Sequence, residues 1–200
     1  MNPPFFGQWE SASRIGDILS GALRAEEDPL WARSGAASAA EYALGAEHLC
    51  GVACLRMALA ARGIAAPSAF ALRDEMVARG GYVVGADGAI RGLVYAPAVA
   101  WLRDVHRIAA EVRVNVSAPE MAGVVASGGM FIASVHPWVR WPAREPPSRG
   151  GHLVLVFGAE GGAVRFHNPS GDVAAAQEDA RLGIAEFGRF FAGRGIAVPG

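Results

Sequence analysis

The residues with chemistry to offer in this 200-residue chain are two cysteines, five histidines and a late Asn-Pro pair. Both cysteines fall in "AEHLCGVACLRMALAARG", Ala46 to Gly63. Cys50 and Cys54, four residues apart on a helix, share one face with side chains in parallel, a poor geometry for a disulfide. A zinc site wants four ligands, and only His48 lies near them, so no metal or other cofactor is expected. Two readings remain for each thiol: a small buried hydrophobe or a nucleophile. Cys50 opens the helix, where unpaired N–H groups and the helix dipole favour a thiolate, whereas Cys54 sits a turn deeper in an apolar run. Gly51 leaves room beside the sulfur for a substrate backbone.

A thiolate nucleophile needs an imidazole, and the imidazole needs a group to orient it. His106 follows a helical segment, His48 faces backwards out of the helix start, His136 ends a strand, and His167 sits beside Asn168. His152 is the strongest candidate, because it opens the apolar run "HLVLVFGA" directly after "RGG" and so lies where a loop meets a rigid sheet. The stretch "HLVLVFGAEGGAVRFHN" reads as a hairpin. A five-residue loop over 158–162 sets Phe157 opposite Ala163 and hence His152 opposite Asn168, and a four-residue loop shifts Asn168 by one place. In that register Asn168 accepts the ring N–H of His152 and turns the other nitrogen toward Cys50. A capped strand end and a turn-opening "NPSG" account for the same residues without catalysis.

The elements that must carry these groups follow from periodicity. Ala12 to Ala25 has apolar residues at helical spacing, Asp28-Pro29 breaks it, and Gly51 to Arg62 is apolar on most sides, as a central buried helix is. Further helices are expected over "SAFALRDEMVARGG" and from Ala96 to His106, with a turn around Gly85–Gly88 between them. After that the pattern changes: "EVRVNV" alternates as a half-buried strand, "SAPEMAGVVASGG" opens a short helix with a serine cap, and "MFIASVH", "HLVLVFGA" and "AVRFHN" are strand-length apolar runs. "IAEFGRFFAG" is a last helix and "IAV" a last strand. Helices followed by strands make an α+β fold in segregated layers. One domain over 1–200 is expected, with 1–40 as an N-terminal helical extension.

Between the strands lies "PWVRWPAREPPSRGG", residues 137–151. Trp138 and Trp141 suit the wall of a substrate cleft, and Arg140 or Arg144 can meet a carboxylate or phosphate. A stiff surface loop with its tryptophans tucked onto the core fits equally well.

Composition narrows the partners. Hydrophobic residues make up 52% and charged residues 18%, with net charge −1, a globular balance that argues against disorder and against a nucleic-acid partner. All basic residues are arginine. No apolar run is long enough to span a bilayer, and the N-terminus lacks a basic stretch followed by an apolar core, so a cytoplasmic protein with no membrane partner is expected.

The motifs Cys50-Gly51, Gly151-His152 and Asn168-Pro169, in this order, resemble the papain-like cysteine peptidases of the bacteriocin-processing type, which clip leader peptides after a double glycine. The resemblance covers Tyr42 to Gly171. It implies a papain-like α+β fold, a helical layer with a central Cys-bearing helix packed on an antiparallel sheet. It also implies a Cys50–His152–Asn168 triad acting on a peptide or acyl substrate, free or carrier-bound. Substrate contacts are expected at Gly51, Trp138, Arg140 and Trp141. One element departs. The family carries a glutamine six residues before the cysteine, whose amide holds the oxyanion, and Leu44 stands there. With the backbone N–H of Cys50 as one donor, Tyr42 and His48 are the candidates for the second. Three functions stay open: a peptidase or amidase, an acyltransferase making an amide from a thioester, and a non-catalytic papain-like binding protein. With no transporter segment beside it, the domain suits tailoring of peptide natural products better than export processing.

Overall fold

The computed structural model describes residues 2–85 and 90–200, so the turn expected around Gly85–Gly88 lies, from residue 86 on, outside the described residues. Helices dominate the first half: α1 (Ile15–Ser20), α2 (Ala39–Ala46), α3 (Cys50–Ala61) and α4 (Ala69–Ala78). A two-stranded ribbon, β1 (Val83–Val84) with β2 (Ile90–Arg91), leads to α5 (Tyr95–Asp104). The second half holds β3 (Glu111–Val114), α6 (Ala118–Ala126), β4 (Met130–Val135), β5 (His152–Glu160), β6 (Ala163–His167), β7 (Ala180–Gly183), α7 (Ile184–Phe190) and β8 (Phe191–Val198). Six of the strands form one antiparallel sheet in the order β3-β8-β4-β5-β6-β7. The α+β class and the papain-like arrangement expected from the sequence are what the chain adopts.

α3 is the hub of the first layer. All nine residues from Gly51 to Leu59 are buried, as its nearly unbroken apolar sequence requires. Gly63 ends it at φ 72°; the Gly63 N–H bonds the Ala60 carbonyl and the Ile64 N–H that of Leu59, the paired closure that a left-handed residue permits. Leu55, Met57 and Leu59 join Leu153, Leu155 and Ile196 of the sheet in one apolar cluster. The opposite face of the sheet is covered too. Met121 and Val125 of α6 and Phe187 and Phe190 of α7 pack on Val154, Val156 and Phe166. Along the middle of β5, Leu153, Leu155 and Phe157 join the α3 cluster, and Val154 and Val156 join that of α6 and α7.

Three expectations shift. β3 is an edge strand whose four residues are all exposed, not half-buried. The last helix stops at Phe190, and the chain continues directly into β8, an interior strand of the sheet between β3 and β4. The N-terminal forty residues hold one short α-helix, and Trp9 and Ile15 are in the same buried cluster as α3. Among the described residues no single helix is long and apolar enough to cross a membrane; α2 and α3 together have the length but meet at 89°.

Gly51 has a structural task that its sequence position does not reveal. A β-carbon there would lie 2.7 Å from Leu93 Cβ and 2.9 Å from the Tyr82 hydroxyl, so the space beside it is filled by protein, not left for substrate. Gly51→Ala is expected to destabilise the fold by about 1–3 kcal/mol through overpacking, read as a lower denaturant midpoint.

Candidate active site

Cys50 is the first residue of α3, and no side chain caps that end. The backbone N–H groups of Leu153, Gly51 and Cys50 itself point at its sulfur. Burial outweighs these donors and pushes the thiol above its ordinary range, so the easily ionised thiol expected from the helix start is replaced by one that rests protonated. Cys50 keeps some solvent-exposed surface, while Cys54 is wholly buried and pushed up further, by burial first and then by Cys50. Iodoacetamide is therefore expected to modify Cys50 and spare Cys54. The rate should rise about tenfold per pH unit between pH 7 and 9, following the thiolate fraction of a group titrating above that window. A plateau reaching down to acid pH, read by intact mass, would instead indicate a preformed thiolate–imidazolium pair.

His152 opens β5 and is 5% exposed. Its Nε2 lies 2.8 Å from Asn168 Oδ1 and 3.1 Å from Ser170 Oγ. The Ser170 N–H also donates to Asn168 Oδ1 at 3.2 Å, which identifies that atom as the oxygen. An amide oxygen only accepts, so Nε2 carries the proton and Nδ1 keeps a free lone pair. Arg140 donates to Ser170 Oγ at 2.8 Å and to the Pro137 carbonyl at 2.9 Å. Burial, with Arg140 adding its charge and the Asn168 bond opposing, pushes the imidazole down to about 4. His152 is therefore neutral around pH 7.

The register that joins His152 to Asn168 differs from the count made on sequence. The hairpin turn is two residues, Gly161-Gly162, both at positive φ (59° and 77°), and Glu160 pairs with Ala163. Near the turn Gly158 faces Arg165, but beyond it Val156 faces Phe166 and Leu155 faces His167, so Phe157 is an extra residue in β5. Without this bulge His152 would fall opposite residue 171, and Asn168 would point to the other side of the sheet. With it the count carries His152 opposite Ser170, with Asn168 two residues away on the same face. The five-residue loop is thus wrong by two places, and an even error preserves the face.

Cys50, His152, Gly151 and Arg140 line one cavity of about 580 Å³. His48 lines it as well, and so does Gln8, which the sequence reading passed over. Gln8 is 6% exposed. Its backbone N–H bonds the Pro169 carbonyl at 2.8 Å, and its Nε2 donates to the Glu47 carbonyl at 2.5 Å, which places the side chain between the Asn168 strand end and the residues entering α3. An acceptor at Glu47 fixes which end of the amide is nitrogen; among the described residues the buried Oε1 has no partner. Gln8 lies 42 positions before Cys50, so no local motif marks it. A signal existed all the same: the chain has two glutamines, Gln8 and Gln177.

Other expected site residues are engaged elsewhere. Tyr42 donates its hydroxyl proton to Asp28 Oδ2 at 2.5 Å and accepts from the Glu10 N–H at 2.8 Å; it has no proton left for an oxyanion. Leu44 is 78% exposed on α2, which turns it to solvent. Trp138 and Trp141 are not among the residues lining the cavity. Arg144 stacks on Trp141 at 4.7 Å, and Trp141 Nε1 donates to Asp172 Oδ2 at 2.6 Å, so the loop braces itself. Of that loop, Pro137, Arg140 and Gly151 reach the cavity. Among the described residues no three His, Cys, Asp or Glu side chains come together as a metal site would require.

The same fold also occurs in solved structures. The chain superposes on a protein described as a C39-like peptidase from Bacillus anthracis with a TM-score of 0.57 at 14% identity, over 77% of this chain and 90% of that one. It also superposes on the peptidase domain of Streptococcus ComA, a bi-functional ABC transporter involved in a quorum-sensing pathway, with a TM-score of 0.52 at 17% identity, over 77% of this chain and 93% of that one. The chain has the fold of the C39-like peptidases. No protein-family model and no curated protein matches the sequence, so the likeness is one of fold and not of residue identity.

Proposed function

We propose that this protein is a cysteine peptidase or amidase acting on a peptide-like substrate, with Cys50 as nucleophile, His152 as base and then acid, and Asn168 as the group that orients the imidazole. The observation that carries this reading is the 2.8 Å bond between His152 Nε2 and Asn168 Oδ1 in a cavity shared with Cys50. It leaves Nδ1 as the free base. Because thiol and imidazole both rest neutral, proton transfer accompanies attack: Nδ1 takes the thiol proton as sulfur bonds the carbonyl carbon. The oxyanion that forms is met by the Cys50 N–H and, in place of the glutamine missing at position 44, by the second hydrogen of Gln8 Nε2. Collapse passes the Nδ1 proton to the leaving amine and leaves a thioester on Cys50, which water then hydrolyses.

The test is covalent trapping. Incubation with nitrophenyl esters of blocked dipeptides, followed by quenching and intact mass, should show one acyl group mapped to Cys50. The adduct should be absent in Cys50→Ala and should accumulate slowly in His152→Ala. No adduct on any ester, with Cys50 still open to iodoacetamide, would overturn the catalytic reading.

A further inference from the structure

Cys50 and His152 also border a second cavity, of about 360 Å³, on the side where Leu93, Tyr95, Leu153 and Arg194 stand. Its character is opposite to that of the first. The Gln8 side carries Glu26 and Glu47 alongside its arginines, whereas among the described residues no carboxylate lines the Arg194 side. Arg194 lies on β8, next to the paired Gly195, and its guanidinium arches over Gly150: a β-carbon on that glycine would sit 3.1 Å from Arg194 Nη2. Gly150 takes φ 90°, a backbone state open to glycine, so the approach of Arg194 to the loop before His152 depends on a residue without a side chain. Among the described residues Arg194 makes no ion pair, in contrast to Arg56, Arg73, Arg165 and Arg189. Behind it opens a third cavity, of about 890 Å³, which Arg194 shares with Arg149 and which again has no carboxylate among the described residues that line it. Among the described residues a guanidinium group without an acidic partner thus sits at one end of the cleft that holds the nucleophile.

We infer that Arg194 is the specificity-determining group of a substrate subsite, and that this subsite takes an acidic side chain whose methylene arm lies along Leu93, Tyr95 and Leu153. A guanidinium matches a carboxylate with two parallel N–H donors, and a partly enclosed wall strengthens the pair. Arg140 is not an equivalent candidate. Its donors already serve Pro137 and Ser170, and it acts on His152 through Ser170.

This inference rests on Cys50 being the reacting group, and the test separates the two. Cys50 is alkylated with the bromoacetyl derivatives of glutamic acid α-amide and of glutamine α-amide, which differ in one charge. The acidic probe is expected to react at least about tenfold faster, and Arg194→Gln should bring the two rates together. Iodoacetamide should alkylate both proteins alike, because Arg194 is not among the groups that set the ionisation of the Cys50 thiol. Bromoacetyl-glutamine with a free α-carboxylate separates a chain terminus from a side chain and should gain less. Equal rates for the two amides in the unaltered protein, or a preference that survives Arg194→Gln, overturns the subsite. If Cys50 resists every reagent, the reading of the nucleophile fails instead. The subsite is then judged by the Arg194 Nε–Hε resonance of Cys50→Ala during titration with acetyl-glutamic acid amide. A saturable shift absent with the glutamine analogue supports it, and no shift refutes it.

Discussion

Replacing Gln8 by alanine is expected to lower kcat/KM on a peptide amide by about 10²–10³-fold, the usual loss when one oxyanion donor is removed. The side chain is nearly buried at the cavity that holds Cys50, its Nε2 donates one hydrogen to the Glu47 carbonyl and keeps a second, and among the described residues its Oε1 has no partner. Alanine at this position removes one side-chain bond and should leave the fold in place, since the backbone bond to Pro169 remains. Thioesters and activated esters should lose less, because their leaving groups depart readily and need less stabilisation. Leu44→Gln should change neither rate: position 44 is 78% exposed, and a longer side chain there extends into water. Gln8→Glu makes a sharper version of the test, because it keeps the shape and places a negative charge where the oxyanion forms. A change of less than about threefold in Gln8→Ala, measured as kcat/KM against the same peptide, would pass the donor role to His48, which lines the same cavity.

Asp28→Ala should have the largest effect on stability, about 3–5 kcal/mol, which for a chain of this size lowers Tm by about 10 °C. Asp28 is fully buried and accepts from the Tyr42 hydroxyl at 2.5 Å, the Leu30 N–H at 2.9 Å, the Ser11 N–H at 3.2 Å and the Ser11 hydroxyl. Burial alone would raise its pKa. The donors from Ser11, Tyr42 and Leu30 outweigh burial and hold the carboxyl below its ordinary range. Truncation leaves four donors without an acceptor in the layer that ties residues 8–11 to α2. Because Gln8 belongs to that segment, activity should fall beyond what the lost stability explains. The pH dependence has a definite sign. The folded carboxyl titrates below the unfolded value of about 3.9, so its contribution is whole above that pH and is lost as the pH falls through the folded value. Thermal melts of the two proteins should therefore converge on acidification below about pH 4.

The order of elements, the buried central helix and the thiol at its start are properties of short stretches, and the sequence alone determines them. An apolar run of helical length ended by Gly63 can form little else, and β-branched runs bounded by glycine and proline make strands. The choice of Cys50 over Cys54 is local too, since it depends on distance from a helix end. The face on which Asn168 meets His152 depends on a single extra residue at Phe157. A bulge of that kind is selected by how β5, β6 and the neighbouring layers pack, a cooperative matter that no turn rule carries. The thiol and imidazole rest neutral because burial sets their ionisation, and burial belongs to the assembled cavity, not to the helix terminus read from sequence. Gln8, Tyr42 and Gly51 make the same point from opposite directions. Gln8 enters the site from 42 positions away, Tyr42 leaves it to hold Asp28, and Gly51 is required by Leu93. Contacts between residues far apart in the chain have no spacing to read, and they exist only once the chain has closed on itself.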